Sequence, residues 1–127
     1  MMEPQLSADA GQAPTDAGAL ERLRRFGGGK LLREMIALFL VSAPERLTAA
    51  RNATVAMDLG NAELALHSLK SSSAQLGAMH MHRLCDEGER RTRDGSLAGV
   101  PTLLDELEHE FARVREWLIN ARDEGTP

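Results

Sequence analysis

Aromatic residues make up only 3% of this 127-residue chain, and tyrosine does not occur. A core built on stacked rings is therefore excluded, and aliphatic side chains with six methionines must fill the interior. One cysteine, Cys85, rules out an internal disulfide and suits a reducing compartment. An excess of basic residues is missing too. The net charge is −4 with both signs interspersed, so no basic stripe for nucleic acid is expected. The densest basic cluster, Glu89-Arg90-Arg91-Thr92-Arg93, is short, of mixed sign, and reads as a solvated helix face. No apolar run is long enough for a membrane span. The stretch from Met1 to Pro14 lacks both a basic and an apolar signal-peptide region. These absences lead to an expected cytoplasmic location, with no membrane or nucleic-acid partner.

Period-2 alternation of apolar and polar residues is absent as well, which argues against strands. Helix formers dominate, and the hydrophobic share of 43% is enough for one core. The predicted fold class is all-α: an antiparallel up-and-down four-helix bundle with a short additional N-terminal helix. Residues 1–15 read as a disordered lead-in or linker, 16–122 as the bundle, and 123–127 as a disordered tail. A short helix over 16–26 is expected to close at Gly27-Gly28-Gly29. The next spans 31–42, with Leu31, Met35, Leu38, Phe39 and Ser42 on one side and Leu32, Ile36 and Leu40 widening its apolar face. Pro44 either starts a new helix or kinks a long one. Helix over 45–59 ends at Gly60, and Asn61 is the expected N-cap of a helix running to about Leu76. Gly77 permits a tight turn, and a further helix covers 78–93 with Met81, Leu84, Cys85 and Gly88 facing inward. Asp94-Gly95-Ser96 breaks it, and Pro101 opens the last helix, whose stripe is Leu103/Leu104, Leu107, Phe111, Val114 and Leu118.

The helix ending at Leu76 carries the most informative residues. Glu63, His67, Lys70, Ser71 and Ala74 fall on one stripe at helical spacing. Leu66, Leu69, Ser73 and Leu76 form another, mostly apolar and core-facing. His67 is thus displayed outward beside a lysine, with only small side chains beyond. A protein partner can approach such an imidazole. Imidazoles ordinarily titrate at about 6.5, which makes them competent nucleophiles near neutral pH.

The run His67-Ser68-Leu69-Lys70-Ser71-Ser72-Ser73-Ala74-Gln75-Leu76-Gly77-Ala78 resembles the signature of histidine-containing phosphotransfer (HPt) domains. Phe39-Leu40 followed by Pro44, Asp58 nine residues before the histidine, and Leu84-Cys85 with Glu89 extend the likeness over about residues 16–122. Two positions depart from the pattern. Ser71 stands where glycine is common, and Gly88 replaces a bulky apolar residue, which is expected to loosen packing under the site.

The resemblance implies a phosphocarrier in a two-component phosphorelay. His67 would accept a phosphoryl group from a receiver phospho-aspartate and pass it to another receiver. Lys70 would neutralise the phosphoryl oxygens, Ser71 would keep the approach open, and Glu89 would orient the imidazole. The chain needs no cofactor of its own, and Mg²⁺ would belong to the receiver. Response-regulator receivers and a sensor or hybrid kinase are the implied partners, and a monomer is the expected state. Autonomous kinase activity is not expected, because Gly27-Gly28-Gly29 follows no strand and precedes no P-loop lysine-serine pattern.

Two other readings compete. One is a helical docking adaptor that is never phosphorylated. The other is a metal site on His80, His82, Cys85 and Asp86, although four ligands on one short helix seldom converge on one centre. Glu106 and His109 make only half of a di-iron motif.

Overall fold

Asp58, not Asn61, starts the helix that carries His67. Its carboxylate accepts from the Asn61 backbone N–H at 3.1 Å and from the Asn61 side-chain amide at 2.6 Å. A carboxylate caps better than an amide that is spent holding it, so the cap sits three residues earlier than the sequence predicts. The computed structural model describes residues 13–124 and contains four helices among them. These are α1 (Ala17–Val55), α2 (Leu59–Gln75), α3 (Met79–Arg93) and α4 (Val100–Glu124). Each packs on its chain neighbours and α4 closes against α1, while the diagonal pairs stay apart. That is the antiparallel up-and-down bundle read from the sequence. No helix among the described residues is long and apolar enough to cross a membrane.

The first helix differs most from expectation. The segments predicted over 31–42 and 45–59 run on without a break through Pro44, and the one predicted over 16–26 joins them in α1 across a kink at Gly28. The glycine triplet closes the short helix predicted over 16–26 and kinks α1 there, because Gly28 leaves helical dihedrals, with φ 76° and ψ −178°. Only glycine adopts that backbone readily. Pro44 lies inside α1 on an exposed surface, where water can reach the carbonyl it leaves without a donor. The buried stripe of α1 is Leu32, Ile36, Phe39, Ala43 and Leu47. Leu38, on the apolar side that the sequence leaves either buried or open to a partner, is 63% exposed, as is Val41. The seam therefore runs along the widened edge of the predicted face, and Leu38 is left in water beside Ser72 and Gln75 of α2, with Val41 exposed as well.

The other core assignments hold. Leu66, Leu69, Leu76, Met81, Cys85, Leu104, Leu107, Val114 and Leu118 are fully buried, and Phe111 is partly buried against Phe39 with ring centroids 5.9 Å apart. Gly88 does not loosen the packing. A Cβ placed there would lie 2.6 Å from Leu103 Cδ2 and 3.0 Å from Leu66 Cδ1. Leucines from α2 and α4 fill the space that a larger side chain on α3 would take, and α3 is drawn in against them.

At the α2–α3 turn, Gly77 has φ 78°, and Asp16 N–H donates to its carbonyl at 2.7 Å. His80 N–H donates to the Pro14 carbonyl at 3.0 Å. Part of the expected lead-in is thus tied to the bundle, while residues 1–12 lie outside the described part. The last helix runs to Glu124, two residues past the predicted boundary, and residues 125–127 lie outside.

Candidate functional site

Position 67 follows Leu66 and precedes Leu69 on α2, both fully buried, so the helical period turns it outward. The His67 side chain is 56% exposed. Lys70, one turn on, leans across to α3 and is half-buried. Glu89 is anchored from the other side: Gly88 presses α3 inward and Thr92 Oγ1 donates to the Glu89 carbonyl at 2.9 Å. The result is a buried carboxylate, 3% exposed, beneath an accessible imidazole.

The carboxylate divides its two oxygens. Oε2 accepts from His67 Nδ1 at 2.8 Å and from Arg93 Nη2 at 2.7 Å. Oε1 lies 2.7 Å from Lys70 Nζ, a close ion pair whose angle departs from that of an aligned hydrogen bond. Lys70 also reaches Asp86 at 3.4 Å, and Arg93 Nε reaches Glu63 at 3.3 Å. Burial pushes the Glu89 carboxyl up, but pairing with Lys70 and His67 outweighs it and holds the group below the usual carboxylate range. The close pairing with Glu89 raises Lys70 despite the cost of burial. Glu89 is therefore an anion that can only accept, so His67 Nδ1 carries a proton, and the neutral ring so held has its free pair on Nε2.

Three of the four residues singled out in the sequence thus converge: His67, Lys70 and Glu89. Ser71 is exposed on the same outer stripe and joins none of these pairs. Arg93 was overlooked, grouped with a solvated basic cluster. Its i, i+4 spacing from Glu89 was the available signal, but its second bond, to Glu63 on another helix, was not. Among the described residues no group of three or more His, Cys, Asp or Glu is placed to hold a metal. His82 Nδ1 donates to the Lys70 carbonyl at 3.1 Å, and Cys85 is buried.

A helical bundle that sets an exposed imidazole over a buried acid, with a lysine alongside, has the architecture of a phosphotransfer domain. The Hpt domain family model matches residues 34–117, about two-thirds of the chain. The crystal structure of histidine-containing phosphotransfer protein B (HptB) from Pseudomonas aeruginosa PAO1 is similar, with a TM-score of 0.83 and 28% identity. That similarity covers 87% of this chain and 96% of the other. No curated protein matches. The chain belongs to the Hpt domain family, whose members are phosphocarriers of phosphorelay signalling that exchange with receiver domains and histidine kinases.

Proposed function

We propose that His67 is the phospho-acceptor through which this chain passes a phosphoryl group from one receiver aspartate to another. The observation that carries the reading is the single bond from His67 Nδ1 to buried Glu89 at 2.8 Å, under a ring that is 56% exposed. The Nε2 pair attacks the phosphorus of a receiver phospho-aspartate. An N–P bond forms, the P–O bond to the aspartyl carbonyl breaks, and that electron pair returns to the receiver carboxylate. No proton has to leave the ring. The positive charge that grows on the imidazole is met by Glu89 through Nδ1–H, and Lys70 neutralises oxygen charge on the moving group. The reverse sequence delivers the group to a second aspartate.

The chain acts as a protein co-substrate without autonomous kinase activity, as a monomer in the cytoplasm. It brings no cofactor, and the Mg²⁺ such exchanges use belongs to the receiver. Response-regulator receivers and a sensor or hybrid kinase are its partners. They dock over the small residues beside His67, among them Ser71, with the exposed Leu38 of α1 beside Ser72 and Gln75. Ser71→Trp is expected to block transfer while circular dichroism stays unchanged. Undiminished transfer by that variant would remove this face from the contact.

The test of the reading is incubation with a radiolabelled phospho-receiver, beside a His67→Gln control. Acid-labile, base-stable label on this chain, absent from the control, is the expected result. No label from any of several receivers, with the chain shown to be folded, would overturn the reading in favour of a docking adaptor.

A further inference from the structure

Glu89 faces a conflict if Lys70 is to serve the phosphoryl group. Lys70 Nζ sits 2.7 Å from Glu89 Oε1 and 3.4 Å from Asp86, so it must leave an anion to reach oxygens on Nε2. A buried carboxylate that loses its counter-ion takes up a proton or keeps the cation. Either outcome damages transfer. A protonated Glu89 holds Nδ1–H poorly, and a retained Lys70 cannot neutralise the phosphoryl oxygens.

Arg93 resolves the conflict by its position. Its Nη2 lies 2.7 Å from Oε2, the oxygen that accepts from His67, and its Nε lies 3.3 Å from Glu63 on α2. It is fastened to both helices of the site, and its hydrogen bond to the carboxylate goes to Oε2 and not to Oε1. Among the described residues, the charged groups paired around Glu89 come from α2 (Glu63, His67, Lys70) and α3 (Asp86, Arg93), with Arg90 behind Asp86 at 3.4 Å. We propose that Arg93 is a positioning residue that keeps Glu89 anionic and aimed at His67 Nδ1 while Lys70 moves to the phosphoryl group. The inference rests on His67 being the acceptor. Oε1 is then the exchangeable side of the carboxylate and Oε2 the fixed side. A guanidinium suits the fixed side because it stays charged at any working pH.

Arg93→Gln and Arg93→Lys test this, with Arg24→Gln as a control for net charge at a partly exposed arginine of α1 paired with Glu21. Two readouts are taken: transfer from a labelled phospho-receiver across pH, and NMR titration of the Glu89 carboxyl with the His67 ring nitrogens. Arg93→Gln is expected to slow transfer about ten- to a hundredfold, as loss of a charge-assisted hydrogen bond does. It is also expected to move the acidic limb of the pH profile and the Glu89 titration upward. Arg93→Lys should recover most of both, and Arg24→Gln should match wild type. Wild-type rate and titration in Arg93→Gln, or Arg93→Lys as impaired as Arg93→Gln, would overturn the proposal. The NMR arm uses no phospho-receiver, so it judges the hold of Arg93 on Glu89 even where the wild-type chain takes no label. That last result would instead overturn the acceptor reading.

Discussion

Two carboxylates in this bundle are equally buried, each 3% exposed, and they lie in different company. Glu89 on α3 is met by His67 and Lys70 from α2 and by Arg93 from its own helix. Glu110 on α4 is met by one arginine of its own helix, Arg113, at 3.3 Å, and that arginine is 78% exposed. Burial alone does not make a carboxylate functional. Side chains from two helices meet on the separate oxygens of Glu89, with His67 and Arg93 both open to solvent, an arrangement that Glu110 lacks. Glu110 borders a cavity of about 200 Å³ with Pro14, Thr15 and His80, which tie the chain ahead of α1 to the bundle.

The largest expected effect comes from breaking the scaffold under the site. Leu69 is fully buried between Lys70 and the core, and Leu69→Ala should cost about 2–5 kcal/mol in urea unfolding. Leu38→Ala, on the exposed side of α1, should stay within about 0.5 kcal/mol of wild type. Equal costs would mean that the seam of α1 is misassigned. Next comes function. Glu89→Ala should slow phosphotransfer about tenfold or more, since it strips a charged acceptor from the imidazole, whereas Glu110→Ala should leave the rate unchanged once folding is verified. Equal rates in the two variants would remove the orienting role of Glu89.

A smaller effect is expected in acid. The Glu89 carboxyl is held below its unfolded value, so its contribution to stability is complete above the ordinary carboxylate range. It fades as pH falls through the lowered folded value. Denaturation midpoints measured between neutral and acid pH should fall less steeply in Glu89→Gln than in wild type, and parallel curves would contradict the pairing. The smallest effect is chemical. Burial, with the Glu89 charge adding to it, pushes the Cys85 thiol up to about 12. Iodoacetamide should therefore leave Cys85 unmodified in the folded chain near neutral pH and label it after unfolding, with the readout by mass spectrometry. Rapid labelling of the folded chain would show that α3 opens beside the site.

The contrast between the two glutamates also shows how far the sequence could be read. Leu66, Leu69 and Leu76 inside with His67 outside follow from the 3.6-residue period, which acts within one helix and needs no tertiary information. The same logic misjudged α1, where apolar residues on more than one side left Leu38 and Ile36 equal candidates. Local signals also misplaced the cap, because Asp58 and Asn61 are both good cap residues and only their mutual bonds choose between them. Gly88 was read as a gap because the leucines that fill it come from α2 and α4, far away in sequence. The place of Glu89 beside His67 is legible through resemblance alone, and of the two bonds of Arg93 only the i, i+4 pairing with Glu89 is legible. Their geometry arises where two helices cross, and no periodicity within either helix records it.

The central claim is that one nitrogen of one histidine carries the phosphoryl group. Nitrogen-15 and phosphorus-31 NMR of the chain phosphorylated by a phospho-receiver tests it directly. The account predicts one phosphorus signal coupled to Nε2 of His67, with the proton kept on Nδ1. Coupling to Nδ1, or phosphorus on His80, His82 or His109, would contradict it.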